Sequence, residues 1–179
     1  MEPSAVKSLL FEPPHDLENR FERGEFNAQQ FHSQFCEQAG VEIEKVELLH
    51  ALSDIFWVNG EALPVVTQLS AMGFPMAILS NTCEAHWQHA LANYGFLGQF
   101  FSDAILSYEV QSMKPDAAIY EAAIGLAREQ TGCQAGEIFF VDDRQENVDA
   151  ACKAGIDAKL FTDPISLTRQ LVSRGIPLV

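Results

Sequence analysis

Basic side chains are scarce in this chain: Lys and Arg number 11 against 25 Asp and Glu, a formal charge of −14 over 179 residues. That balance argues against nucleic acid or an anionic membrane as partner, since their phosphates call for cationic patches, and it suits a protein that binds cations. Long apolar runs are also missing. No stretch approaches the roughly 20 apolar residues of a membrane span, and the opening MEPSAVKSLLFEPP has neither a basic leader nor an apolar signal core, so the expected location is cytoplasmic. Cysteine is sparse and scattered. Cys36, Cys83, Cys133 and Cys152 show no CxxC spacing, which argues against a disulfide frame or a zinc site and predicts reduced thiols at apolar positions of helices. The histidines show no convergent metal spacing, and His86 and His89 are expected on a solvent-exposed helix face. The glycine-rich turn of a dinucleotide-binding unit is absent too.

What is present is the composition of a folded protein: 47% of residues are apolar and 20% charged, enough for one domain with a good core and a small appended lobe. The first sixty or so residues read as helices only. Ser4 to Phe11 is stopped by Pro13 and Pro14, and Asp16 to Arg23 ends at Gly24. Asn27 caps a helix carrying Phe31 and Phe35 that Gly40 closes, and Glu42 to Phe56 follows. Each helix has an apolar stripe to cover, which suggests a compact helical lobe over residues 1–58.

From Glu61 onward helix and strand alternate. Strands are expected at Pro75 to Leu79, Asp103 to Leu106, Ile138 to Val141 and Ala158 to Phe161, with helices between them and Ser166 to Arg174 last. This rhythm implies βαβ units and a parallel sheet over residues 59–179. Phe56 and Trp57 fall at the junction, where hinge packing is the expected role.

Three strand ends carry polar chemistry. Ile138 to Val141 is an unbroken apolar run, suited to a strand buried on both faces, and it ends on the adjacent carboxylates Asp142 and Asp143. Paired carboxylates at the carboxyl end of a parallel strand suit a hard cation such as Mg2+, and the competing reading is a helix cap. Ser80, Asn81 and Thr82 follow Met76 to Leu79, a place suited to a phosphate or carboxylate but equally to an ordinary N-cap. Lys114 precedes Pro115 beyond the strand ending at Leu106, where proline fixes the local backbone and can aim the lysine at an anion; a surface lysine is the alternative.

The three segments in order, AILSNT, MKPD and FFVDDRQENV, resemble the second, third and fourth motifs of the haloacid dehalogenase superfamily of hydrolases, and FERGEFNAQQFHSQFC is similar to part of that family's helical cap. The resemblance implies a three-layer, Rossmann-like α/β core with a small cap, and phosphatase-type hydrolysis of a small phosphorylated substrate. It implies Ser80, with Asn81 and Thr82, holding phosphoryl oxygens, Lys114 neutralising charge, and Asp142 and Asp143 holding Mg2+. The family's nucleophile motif, an apolar strand ending in Asp-x-Asp, is not in this sequence: KSLLFEPPHDL offers only Glu12 before two prolines. The chain is therefore expected to begin inside the cap, to lack the central strand and to be inactive. Unpaired central edges would favour a homodimer or a strand-swapped assembly unless Ala5 to Phe11 fills the slot. A non-catalytic binding or regulatory protein that keeps the anion and metal sites is the alternative. A phosphorelay receiver is set aside because its acid pair comes first in the chain.

Overall fold

The computed structural model describes residues 2–178. In chain order the elements are α1 (Pro3–Phe11), α2 (Leu17–Glu22), α3 (Ala28–Ala39), α4 (Lys45–Ser53), α5 (Leu63–Ala71), β1 (Ala77–Ser80), α6 (Glu84–Asn93), α7 (Phe96–Phe100), β2 (Asp103–Leu106), α8 (Ser107–Val110), α9 (Ala117–Thr131), β3 (Phe139–Asp142), α10 (Gln145–Lys153), β4 (Asp157–Leu160) and α11 (Pro164–Ser173). A 3₁₀ turn, Ala135–Glu137, leads into β3. No helix is long and apolar enough to cross a membrane.

Residues group into two compact units. One comprises the helices up to Phe56 together with Ser80–Leu97 and Leu106–Met113; the other comprises Trp57–Leu79, Gly98–Ile105 and the chain from Lys114 on.

The first unit is helical, and local sequence explains its ends. Asn27 and Gln30 form a reciprocal capping box that starts α3, and Gly40, at φ 64°, ends it in the left-handed region. Its core is Leu9, Leu17, Phe21, Phe31, Phe35, Leu48 and Cys83, with the Phe21 and Phe31 rings stacked at 4.6 Å between centroids. Gly24 is required by close approach: at φ 73°, a Cβ there would stand 2.2 Å from the Tyr108 carbonyl oxygen. Nearby, the fully buried Ser107 hydroxyl accepts from the Thr82 N–H at 2.9 Å and has the carbonyls of Glu22 and Thr82 within donating range.

The second unit holds β3 and β4 and all but the last residues of β1 and β2. β3 and β4 pair in parallel with Phe140 opposite Ala158 and Asp142 opposite Leu160. β1 pairs with β2, and among the described residues the two pairs remain separate two-stranded sheets. The expected α/β class is thus observed, helix-rich and with few, short strands. Two expectations need correction. Residues 5–11 lie within α1 and fill no strand slot, because the segment closes helical hydrogen bonds and has no alternating pattern. All of β3 is only half-buried, not covered on both faces, because a strand with a single partner keeps one open edge. One core lies around Ile105, Ile119, Tyr120, Val148, Ala151, Ile156 and Ala158, another around Val65, Leu167, Leu171 and Leu178. Arg174 ties the end of α11 to the sheet: its Nε donates to Asp157 at 2.6 Å, and its guanidinium lies 4.1 Å from the Phe139 ring centroid.

All four cysteines are free as expected, and Cys83 is buried, but Cys36 and Cys133 are only half-buried and Cys152 is exposed. Trp57 is 87% exposed, so of the two junction aromatics only Phe56 packs, its ring edge-on to His86.

Candidate active site

β3 is short, and its last residue carries the acid. Asp142 ends the strand and the chain turns through Asp143 into α10, so the first turn of that helix presents its donors to the carboxylate. The Arg144 N–H donates to Asp142 Oδ1 at 2.9 Å, and Asn147 Nδ2 donates to the same oxygen at 2.8 Å. Lys114, beyond α8 and just before Pro115, donates from Nζ to Asp142 Oδ2 at 2.7 Å and to the Leu79 carbonyl at 2.8 Å. Its ammonium also lies 5.7 Å from the Phe140 ring centroid.

Lys114 and Asp142 have side chains only 10% and 6% exposed, so their charges meet in a poorly screened environment. Burial alone pushes the Asp142 carboxyl up. The hydrogen bonds from Lys114, the Arg144 N–H and Asn147, with the Lys114 charge, outweigh it and hold the group below the ordinary carboxylate range. Asp142 therefore stays ionised at neutral pH.

Asn147 is held at both ends. Its carbonyl accepts from the fully buried Tyr120 hydroxyl at 2.9 Å, so α9 braces the residue that braces the acid. Its Oδ1 is buried and has no hydrogen-bond partner. Asp142 is ionised, the adjacent Asp143 is exposed, and both offer oxygen donors of the kind Mg2+ takes. Two carboxylate oxygens accepting three hydrogen bonds leave Asp142 a lone pair for a cation.

Of the residues singled out in the sequence, Lys114 and Asp142 are in direct contact, and Asp143 follows Asp142 in the chain. Ser80, Asn81 and Thr82 belong to the other unit. Ser80 is the last residue of β1 and half-buried, with its hydroxyl 3.3 Å from the Asn81 carbonyl. The Thr82 N–H is engaged by Ser107. The Leu79 carbonyl and the side chains of Asn147 and Tyr120 were not foreseen; only the placement of Asn147 within the first turn after the acid was available as a signal. A groove of about 530 Å³ along α9 and α10 has three acids, Glu121, Glu146 and Asp149, against one base, Lys153, in its lining, a balance that disfavours a phosphate ester.

His86 was expected to be exposed and is 5% exposed, covered by Phe56 and Glu18.

Comparison with known proteins follows the same line. The family model for a haloacid dehalogenase-like hydrolase matches residues 7–155. No curated protein matches the chain. Among solved structures it is similar to HAD family enzyme bt-2542 from Bacteroides thetaiotaomicron, at 21% identity and TM-score 0.77, covering 96% of this chain and 83% of that one. The same enzyme has been solved in complex with magnesium and inorganic phosphate, at 22% identity and TM-score 0.74, covering 89% of this chain and 79% of that one. A predicted HAD-like family hydrolase from Porphyromonas gingivalis is similar at 21% identity and TM-score 0.77, covering 94% and 83%. L-2-haloacid dehalogenase from Xanthobacter autotrophicus is more distant, at 22% identity and TM-score 0.56, covering 90% and 68%.

Proposed function

The chain belongs to the haloacid dehalogenase-like hydrolases, and on that footing we propose that it is a phosphatase-type member whose site is arranged for Mg2+-dependent chemistry on a small phosphorylated metabolite. The observation that carries this reading is the contact between Lys114 and Asp142 at the carboxyl end of β3, beside an unpartnered amide oxygen on Asn147. A haloacid substrate calls for no hard-cation site, whereas this donor set suits one. A relative of the same fold binding magnesium together with inorganic phosphate supports the same choice.

In this proposal residues 59–179 supply the catalytic core and residues 1–58 a helical cap that selects the substrate. Asp142, with Asp143, holds Mg2+, which when bound neutralises charge on phosphoryl oxygens. Lys114 contributes a second positive charge, and Ser80, Asn81 and Thr82 hold phosphoryl oxygens. Asn147 and the Arg144 N–H fix the carboxylate so that it need not reorganise, which is how positioning lowers a phosphoryl-transfer barrier. The substrate is a soluble small molecule, with neither nucleic acid nor a membrane surface involved, and the setting is the cytoplasm.

These residues provide charge and orientation but no strand-end Asp-x-Asp nucleophile, so the 179-residue chain by itself is proposed to turn over phosphate esters poorly. That same lack favours the second reading, a binding or regulatory protein that retains the anion and metal sites. The test is an assay of a generic aryl phosphate with Mg2+, run beside calorimetric titration with Mg2+ and inorganic phosphate. Mg2+-dependent phosphate binding that weakens in Lys114→Ala, with little turnover, is the expected result. Absence of binding overturns the site; family-like turnover overturns the inactivity.

A further inference from the structure

Glu18, Cys83 and His86 form a buried cluster that phosphoryl chemistry does not use. Glu18 lies in the first turn of α2, Cys83 directly precedes α6, and His86 lies in the first turn of α6. A carboxylate oxygen, the thiol sulfur and an imidazole nitrogen lie within 4.8 Å of one another. The three residues are 6%, 0% and 5% exposed.

As a purely polar cluster it is badly made. Glu18 Oε1 and His86 Nε2 are 3.5 Å apart, long for a hydrogen bond, and Glu18 Oε2 is buried with no partner at all. Nε2 also stands 3.3 Å from the Leu52 carbonyl, a contact at the weak end of the range. Atoms held close but not bonded well to one another are what an intervening ion accounts for. A thiolate, a carboxylate and a neutral imidazole together carry two negative charges, so a dication leaves the buried site neutral and removes the usual penalty for interring charge. Sulfur and nitrogen donors select a borderline cation over Mg2+, and Glu18 Oε2 is available as a fourth donor.

We propose that Glu18, Cys83 and His86 bind Zn2+ or a similar borderline divalent cation, fastening α2 to the start of α6 at a site separate from the oxygen-only donors around Asp142. Burial, with help from the Glu22 charge, pushes the Glu18 carboxyl up to about 8, and burial pushes the Cys83 thiol up. Both groups therefore start protonated, and the incoming cation displaces both protons to solvent as the metal–oxygen and metal–sulfur bonds form. The edge-on Phe56 ring, 5.0 Å from the His86 ring between centroids, limits how the imidazole can turn. The inference does not depend on the hydrolase reading.

The test uses the whole chain, stripped with chelator and titrated with Co2+ as a spectroscopic probe. A thiolate-to-cobalt charge-transfer band saturating at a single ion per chain is expected, displaced by Zn2+ and untouched by Mg2+. The band should vanish in Cys83→Ser and persist in Asp142→Asn. Should Cys83→Ser fail to fold, the near-isosteric Glu18→Gln decides: Zn2+ affinity should drop at least about tenfold, the scale associated even with partners outside the ligand shell. No band, a band that survives Cys83→Ser through another thiol, or unchanged affinity in Glu18→Gln overturns the proposal.

Discussion

The Lys114 ammonium spans two strand ends, bonding Asp142 Oδ2 at 2.7 Å and the Leu79 carbonyl at 2.8 Å, although β1 and β3 share no ladder. A single side chain thus does part of what strand pairing does elsewhere, and the first prediction concerns its removal.

Lys114→Met should destabilise the fold by about 3 kcal/mol, the usual cost of stranding one partner of a buried ion pair. Adding Asp142→Asn should recover a clear part of that loss, because the stranded charge is then gone. Urea unfolding of the two single variants and the double variant measures the coupling; strictly additive losses would show that the pair is not coupled.

The Asp157–Arg174 pair sets a modest acid dependence. The Arg174 hydrogen bond, against a smaller contrary push from burial, lowers the Asp157 carboxyl below its ordinary range. A depressed folded-state pKa contributes stability that is present above the unfolded value and lost as pH falls through the folded one. With the Asp157 side chain 35% exposed, solvent screening keeps the contribution under about 1 kcal/mol. The stability gap between wild type and Asp157→Asn should therefore close in acid, as chemical denaturation at neutral and acidic pH would reveal. Arg174→Ala should cost more than Asp157→Asn at neutral pH, since it also uncovers the Phe139 ring.

Gly24 and Gly40 make a matched comparison. Both have positive φ, but a Cβ at Gly24 meets the Tyr108 carbonyl whereas one at Gly40 meets nothing within 4 Å. Gly40→Ala should cost about 1 kcal/mol and Gly24→Ala about 3 kcal/mol or more, because only the second adds a backbone collision to the strain. Thermal unfolding of the two variants reads the difference directly.

Each strand of a two-stranded sheet has one edge without a ladder partner, and exposed edges pair with other chains. The 179-residue chain is expected to run as a homodimer or strand-exchanged assembly in light scattering. A monodisperse monomer over a wide concentration range would refute this.

The strands and the helices between them were legible because buried strands are apolar runs and the helices carry periodic stripes. Lys114 and Asp142 were legible through the order of the three polar segments, since a surface lysine or a capping aspartate accounts for either residue taken alone. Other parts were out of reach for physical reasons. The Leu79 carbonyl is backbone and leaves no trace in side-chain type. The half-exposure of Phe139 and Phe140 follows from a missing neighbour, while their own chemistry points to full burial. His86 looked like a surface residue because its cover, Glu18, lies 68 positions earlier in the chain. Cys83 and His86 are three apart at a helix start, a spacing that signals shared direction, but the third member of the cluster comes from α2 and no local pattern announces it.

Asn147 has a consequence for how this chain can change over time. Its side-chain amide is claimed by Asp142, whereas Tyr120 bonds its backbone carbonyl, which any residue at 147 offers, so the two positions that stand or fall together are 142 and 147. Loss of the carboxylate strands the Asn147 amide, and loss of the amide takes a donor from a buried carboxylate, so neutral exploration is closed off at this pair. Sequences descended from this one are expected to keep the pair intact or to replace its members in concert, and mutational scanning of 142 and 147 together would expose that linkage as epistasis.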